Sequence, residues 1–260
     1  MNDAAGARTR LWLYSLGTAA LLIGIWTAVT EAGLVRDIFL PGPGLLWSGF
    51  LDLLLNGYKG YSLPGHVGIS LMRVLAGFGT GACVGTLLGL AMGMVPAIDE
   101  FLAPFIEFLR PLPQLAYLVL LIVWFGIGET SKIVLLFLTA LPVSAIAARD
   151  GVRNVPAERL QAARSLGASG WQIFRHVVFP SALAEIFIGA RLALGIVYAT
   201  LIAAEIIAGS SGIGWLIFDA GRFLRSDYVF AGVLLIGLMG LGLDWLLRTL
   251  ERRIVHWAGK

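Results

Sequence analysis

The segment 155-VPAERLQAARSLGASGWQIFRHVVFP-180 sets Glu158, Arg159, Arg164 and Arg175 between two long apolar stretches. Pro156 suits the first turn of a helix, where its missing N–H costs nothing. Gly167 stands where a left-handed cap would end that helix. The residues between them, "AERLQAARSL", are strong helix formers. Ser169 suits the N-cap of a second short helix, and Pro180 marks the entry into the next apolar run. The segment therefore predicts a two-helix elbow. Ala157, Ala162 and Ala163 leave one side of its first helix shallow, with Arg159 and Arg164 at the edges. Such a rod can seat in a partner's groove. The competing reading is a solvated loop that only adds positive charge on one side of a membrane.

The surroundings are those of a membrane protein. Of the 260 residues 58% are hydrophobic and 13% charged, about half the charge of a soluble domain. A spanning helix needs about 20 mostly apolar residues. Candidate spans are Leu11–Thr30, Val74–Ile98, Pro111–Gly128, Ile133–Ala148 (with Lys132 snorkelling at its end), Leu183–Ala208 and Tyr228–Leu247. The predicted class is an all-α integral membrane protein of about six transmembrane helices. The N-terminal "MNDAAGARTR" leads into its apolar run without a cleavage-type site, so that run is read as a retained span. With both termini inside, the inner side receives Arg8, Arg10, Arg149, Arg153, Arg159, Arg164, Arg175, Arg248, Arg252, Arg253 and Lys260. The outer side keeps Arg36, Lys59, Lys132, Arg222 and Arg225, in line with the positive-inside bias. The loop "VPAIDEFLAPFIEFLR" is a misfit, setting Asp99, Glu100 and Glu107 against Arg110 alone on the inner side.

This pattern divides the chain into 1–30 (inner terminus and first span), 31–65 (an outer loop) and 66–260 (a five-span core with the elbow loop at 149–182). Within the outer loop, Pro41–Gly57 reads as a short amphipathic helix at the surface. Glycines at 77, 81, 85, 89 and 93 form a flat stripe that lets another helix approach closely. Cys83, the one cysteine, reads as a buried, inert thiol.

The elbow resembles the EAA loop of permease subunits in binding-protein-dependent ABC importers: Glu-Ala-Ala, three residues, Gly, nine residues, Ile-x-Leu-Pro. Here Gln161-Ala162-Ala163, Gly167 and Val177-Val178-Phe179-Pro180 keep both gaps, with Gln in place of Glu, Val of Ile and Phe of Leu. "RPLPQLAYLVLLIVWFGIGETSKI" (110–133), "AARSLGASGWQIFRHVVFP" (162–180) and "AAEIIAGSSGIGWLIFDAGRFLRSDYVFAG" (203–232) extend the likeness to the taurine, alkanesulfonate and nitrate branch. The phrasing is nearest to taurine permeases. The resemblance implies the type I ABC importer permease fold in the cell inner membrane. It also implies a homodimer, two cytoplasmic ATPase subunits and a periplasmic or tethered binding protein. The coupling residues would be Ala157, Glu158, Arg159, Gln161, Ala162, Ala163, Arg164, Ser165, Leu166 and Gly167.

The sequence lacks the G-x-x-x-x-G-K-[ST] phosphate loop, so energy must come from another polypeptide or from an ion gradient; the resemblance implies ATP and Mg²⁺ on the partner ATPase, with no cofactor on this chain. Trp124, Arg191 and Glu205 are candidates for the pathway or its gate. Arg191 and Glu205 stand about 21 Å apart along one helix and cannot pair with each other. Glu205 could instead cap a helix or bond the 209–214 loop, line the pathway, or carry a proton. Arg222 and Arg225 could meet the binding protein or an anionic solute, or be plainly solvated. The rival functions are a gradient-driven secondary carrier using Glu205 and a membrane enzyme. Against the enzyme, no metal-type spacing links His66, His176 and His256. Nothing points to nucleic acid.

Overall fold

The structure, a computed structural model, describes residues 2–257. Lys260 and the side chains of Arg8 and Arg10, assigned above to the inner side, lie outside the described residues. Apart from an isolated Tyr58–Tyr61 bridge, the regular structure among the described residues is helical. The helices are α1 Asn2–Glu31, α2 Pro43–Asn56, α3 Leu63–Met94, α4 Pro96–Leu109, α5 Gln114–Phe125, α6 Glu129–Arg153, α7 Ala157–Ser165, α8 Gly170–Ile173, α9 Phe179–Ala208, α10 Ile213–Arg222 and α11 Ser226–Ile254. Four runs are long and apolar enough to cross a bilayer: α3, α6, the continuous stretch Gly170–Ala208, and α11. The α4–α5 pair makes a fifth, and the described apolar part of α1 is Leu16–Glu31.

The chain forms two compact units: residues 1–63 with 216–234, and residues 64–215 with 235–260. In the larger unit the glycine stripe of α3 lies on α6. A Cβ on Gly81 would fall 2.5 Å from the Phe137 carbonyl oxygen, and Cβ atoms on Gly85 and Gly89 would overlap the Leu141 and Ala145 carbonyls. Both series advance by four residues in the same direction, so α3 and α6 run parallel with their backbones in contact. α9 returns antiparallel, Gly189 meeting Ala147 and Gly151 meeting Ala182. Val74, Phe78, Leu136, Ala140, Ala193, Leu194, Val197 and Leu201 fill the space between the three helices.

Three sequence expectations are corrected. The third span, Pro111–Gly128, is not one straight crossing: α5 has 12 residues, about 18 Å against a hydrocarbon layer of about 30 Å. The acidic "loop" before it is α4, and the two helices meet at 98°. Pro111 and Pro113 cannot donate to the helical ladder and disfavour it in the residues before them, so helix ends at Leu109 and restarts at Gln114. The misfit acids have partners there: Asp99 accepts from Arg153 (2.5 Å) and Arg149 (3.0 Å), and Glu107 from Arg149 (3.3 Å). Secondly, Pro180 stands in the first turn of α9, as expected, but the second short helix and the span are continuous. A π turn over Phe174–Val178 joins α8 to α9, widening the coil where the ring would strike the preceding turn. Thirdly, Cys83 is exposed on α3, on the side away from the glycine stripe.

Candidate functional site

α7 joins the end of α6 to the start of α8. Pro156 stands at its N-cap, one position before the first helical residue, and Leu166 at its C-cap. Gly167 adopts φ +78°. Its N–H donates to the Arg164 carbonyl (2.9 Å), and the Ala168 N–H donates to the Ala163 carbonyl (3.1 Å). This is a Schellman closure, and the positive φ explains the glycine. Ser169 caps α8: its Oγ accepts from the Gln172 N–H while Gln172 accepts from the Ser169 N–H, a reciprocal capping box.

No residue of α7 is buried. Leu160 and Ala163 lean on a cluster of Val152, Val155, Ile173 and Val178. Ala163 thus faces inward, whereas Ala157, Glu158, Arg159, Gln161, Ala162, Arg164 and Ser165 are exposed and Leu166 stands 88% exposed. A groove of about 860 Å³ runs beside the helix, lined among others by Pro156, Arg159, Ala162, His176, Glu185 and Trp257. The elbow is a short rod, started at Pro156, closed at its C-terminal end and uncovered over most of its circumference.

At the other ends of α3, α6 and α9 lies a buried charge cluster. Arg73 and Glu205 are fully buried and meet at 2.6 Å. Arg73 also grips Glu129 through two bonds of 2.6 Å and donates to the Ser211 carbonyl at 2.8 Å. Glu205 accepts further bonds from Ser70 Oγ (2.7 Å) and the Gly214 N–H (2.8 Å), which lies in the first turn of α10. Lys132 donates to Glu129 at 3.1 Å and is 2% exposed, so it is a member of the cluster and not a snorkelling end residue. Two cations balance two carboxylates. Glu205 thus both caps a helix and bonds the 209–214 loop, and its cationic partner is on α3.

The sequence profile of binding-protein-dependent transport system inner membrane components matches residues 81–256. The chain belongs to this family. Within it, the chain is 40% identical to the taurine transport system permease protein TauC of Escherichia coli (strain K12), over 95% of this chain and 90% of that one. It is 36% identical to the putative aliphatic sulfonates transport permease protein SsuC of Bacillus subtilis (strain 168), over 95% and 88%. It is 31% identical to the bicarbonate transport system permease protein CmpB of Synechocystis sp., over 88% and 84%. A chain of the MetNI methionine ABC transporter in an inward-facing conformation superimposes with a TM-score of 0.64. That match has 21% identity and covers 76% of this chain and 96% of that one. The chain is an inner-membrane ABC permease with the type I importer fold.

The remaining candidates of this permease fall in separate places. Trp124 is 65% exposed on the last turn of α5. Arg191 pairs with Asp244 (3.1 Å) and Glu251 (3.6 Å), tying α9 to α11. In the smaller unit Arg225 donates to both oxygens of Asp227, at 3.0 and 2.8 Å, and lies over the Tyr228 ring at 3.7 Å. It clasps Asp227 while its side chain stays 45% exposed, and Arg222 is exposed as well. Nearby, Asp219 accepts from Tyr58 (2.8 Å) and Lys59 (2.7 Å). Burial raises the Asp219 carboxyl, but those two bonds and the Lys59 charge outweigh it and hold the group below its usual range. Burial and the bond to Asp219 push the Tyr58 hydroxyl up to about 12. Sequence reasoning missed Arg73, which stands one position before the uncharged run at Val74. An arginine inside an otherwise apolar helix was the available signal.

Proposed function

We propose that the chain is the membrane subunit of an ATP-driven importer for a small sulfonate-type anion or zwitterion, taurine first and an alkanesulfonate or nitrate next. Two copies form the pathway, a binding protein delivers the solute, and two ATPase subunits hold ATP and Mg²⁺ and carry out all the catalysis. Both termini and α7 face the cytoplasm. The observation that carries this reading is α7, a helix that starts after Pro156, is closed at Gly167 and has no buried residue, placed where a partner can grip it. Closure of the ATPases would move such a rod as a unit, and a two-state partner can bias the spans only through differential binding to their two arrangements. The names of the relatives support the solute class, since taurine and sulfonate permeases match over nearly the full chain.

The carrier alternative needs Glu205 to exchange a proton or an ion. Its engagement by Arg73, Ser70 and the Gly214 N–H speaks against that. The test is uptake of labelled taurine, an alkanesulfonate and nitrate into proteoliposomes holding the assembled transporter. Uptake that needs ATP and the binding protein and survives collapse of the proton gradient supports the proposal. Uptake that follows the gradient without ATP overturns it.

A further inference from the structure

Arg110 lies just past the end of α4, at the α4–α5 bend, and opens onto two adjoining cavities. One, of about 300 Å³, is lined by Arg110, Gln114, Tyr117, Thr139, Pro142 and Val143. The other, of about 210 Å³, is lined by Arg110, Val143, Ala147, Asp150, Glu185 and Gly189. Leu192 also borders both, so the two form a cleft between α6 and α9. The cleft runs from the middle of α6, at Thr139, toward the α7 end, at Asp150. The upper cavity has the volume of about ten waters, room for a small solute with part of its hydration.

Two arginines on the spans have their charges answered: the fully buried Arg73 by Glu129 and Glu205, and the partly exposed Arg191 by Asp244 and Glu251. Arg110 differs. Among the described residues no hydrogen bond or ion pair engages its guanidinium. Its side chain is exposed at the mouth of the two cavities, and its flat fork fits the oxygens of an oxyanion. Gln114 and Tyr117 add neutral donors around the same cavity, whereas the Thr139 hydroxyl donates to the Leu135 carbonyl at 2.8 Å. The cleft's acids, Asp150 and Glu185, line the lower cavity, and Arg110 is the one charged residue lining the upper one.

We propose that Arg110, with Gln114 and Tyr117, forms an intramembrane site for the sulfonate group of the transported solute. The cleft below it is the way out toward the cytoplasm. This rests on the importer reading given above.

Two measurements on the assembled transporter test it. In a Cys83→Ala background, Val143→Cys is labelled with an anionic sulfonatoethyl and a cationic trimethylammonioethyl methanethiosulfonate. The anionic reagent should react at least fivefold faster, and Arg110→Gln should abolish that preference. Separately, Arg110→Gln should lower taurine uptake per ATP hydrolysed at least tenfold, with Arg110→Lys recovering part of it. A cysteine inert to both reagents, a preference unchanged by Arg110→Gln, or an unchanged uptake ratio would each overturn the site. The labelling ratio does not depend on which solute is carried. A transporter that ignores sulfonates yet shows the Arg110-dependent preference therefore sinks the solute assignment and leaves the anion site standing.

Discussion

Glu205 and Arg73 are the residues whose loss the fold would feel most. Neither touches solvent, and removing one member of a buried ion pair leaves an uncompensated charge, at a cost of about 3–5 kcal/mol. The two members are not equivalent. Arg73→Met leaves Glu205 and Glu129 with only Lys132, which bonds Glu129. Glu205→Gln keeps one oxygen to accept from Ser70 and Arg73 and loses the bond from the Gly214 N–H, which also donates. The expected order of thermal stability for the detergent-solubilised protein is wild type, then Glu205→Gln, then Arg73→Met well below both. Equal midpoints for wild type and Arg73→Met would mean that water reaches the cluster and screens it.

Among the elements, the ones legible in the sequence are those whose ends are written in local chemistry. Pro156, Gly167 and Ser169 each act within a few residues, so the bounds of α7 and the start of α8 follow from their neighbours alone. The glycine stripe of α3 is legible as a stripe, but its partner α6 is not, because nothing in the spacing says which helix fills a flat surface. Two features stayed hidden. The α4–α5 bend is masked by apolar length, which measures hydrophobicity and ignores the two prolines that break the ladder. The Arg73–Glu205 pair joins positions 132 apart, a distance over which helical periodicity carries no information. Gly167 offers a test at this scale. Its φ of +78° disfavours any side chain, and a β-branched one most, at roughly 1–2 kcal/mol. A Cβ there meets no atom within 4 Å, so the strain is confined to the cap. Gly167→Val should therefore insert at normal levels and abolish transport, by releasing the Schellman closure and the fixed angle between α7 and α8. Gly167→Asn, which tolerates the left-handed region, should retain most of the uptake. Normal uptake by Gly167→Val would remove the rigid-rod argument.

For the whole molecule, the proposed function requires α7 to lie in the cytoplasm, and charge and connectivity make the same demand. α3 and α6 run parallel and both end near α7, and α9 starts there, so Arg149, Arg153, Arg159, Arg164 and Arg175 gather at one end of these spans. Asp99 and Glu107, the acids that had seemed to contradict this bias, are bonded to Arg149 and Arg153. They neutralise part of the cluster and do not mark an outer loop. The proposed function sets Arg36, in the segment that precedes α2, on the outer side. In a Cys83→Ala background, Arg36→Cys should react with a membrane-impermeant maleimide in intact cells, and Arg159→Cys only after permeabilisation. The reverse pattern would put α7 outside the cell, beyond reach of any ATPase. The coupling role would then fall, while the packing of α3 on α6 and the buried charge cluster would stand unchanged.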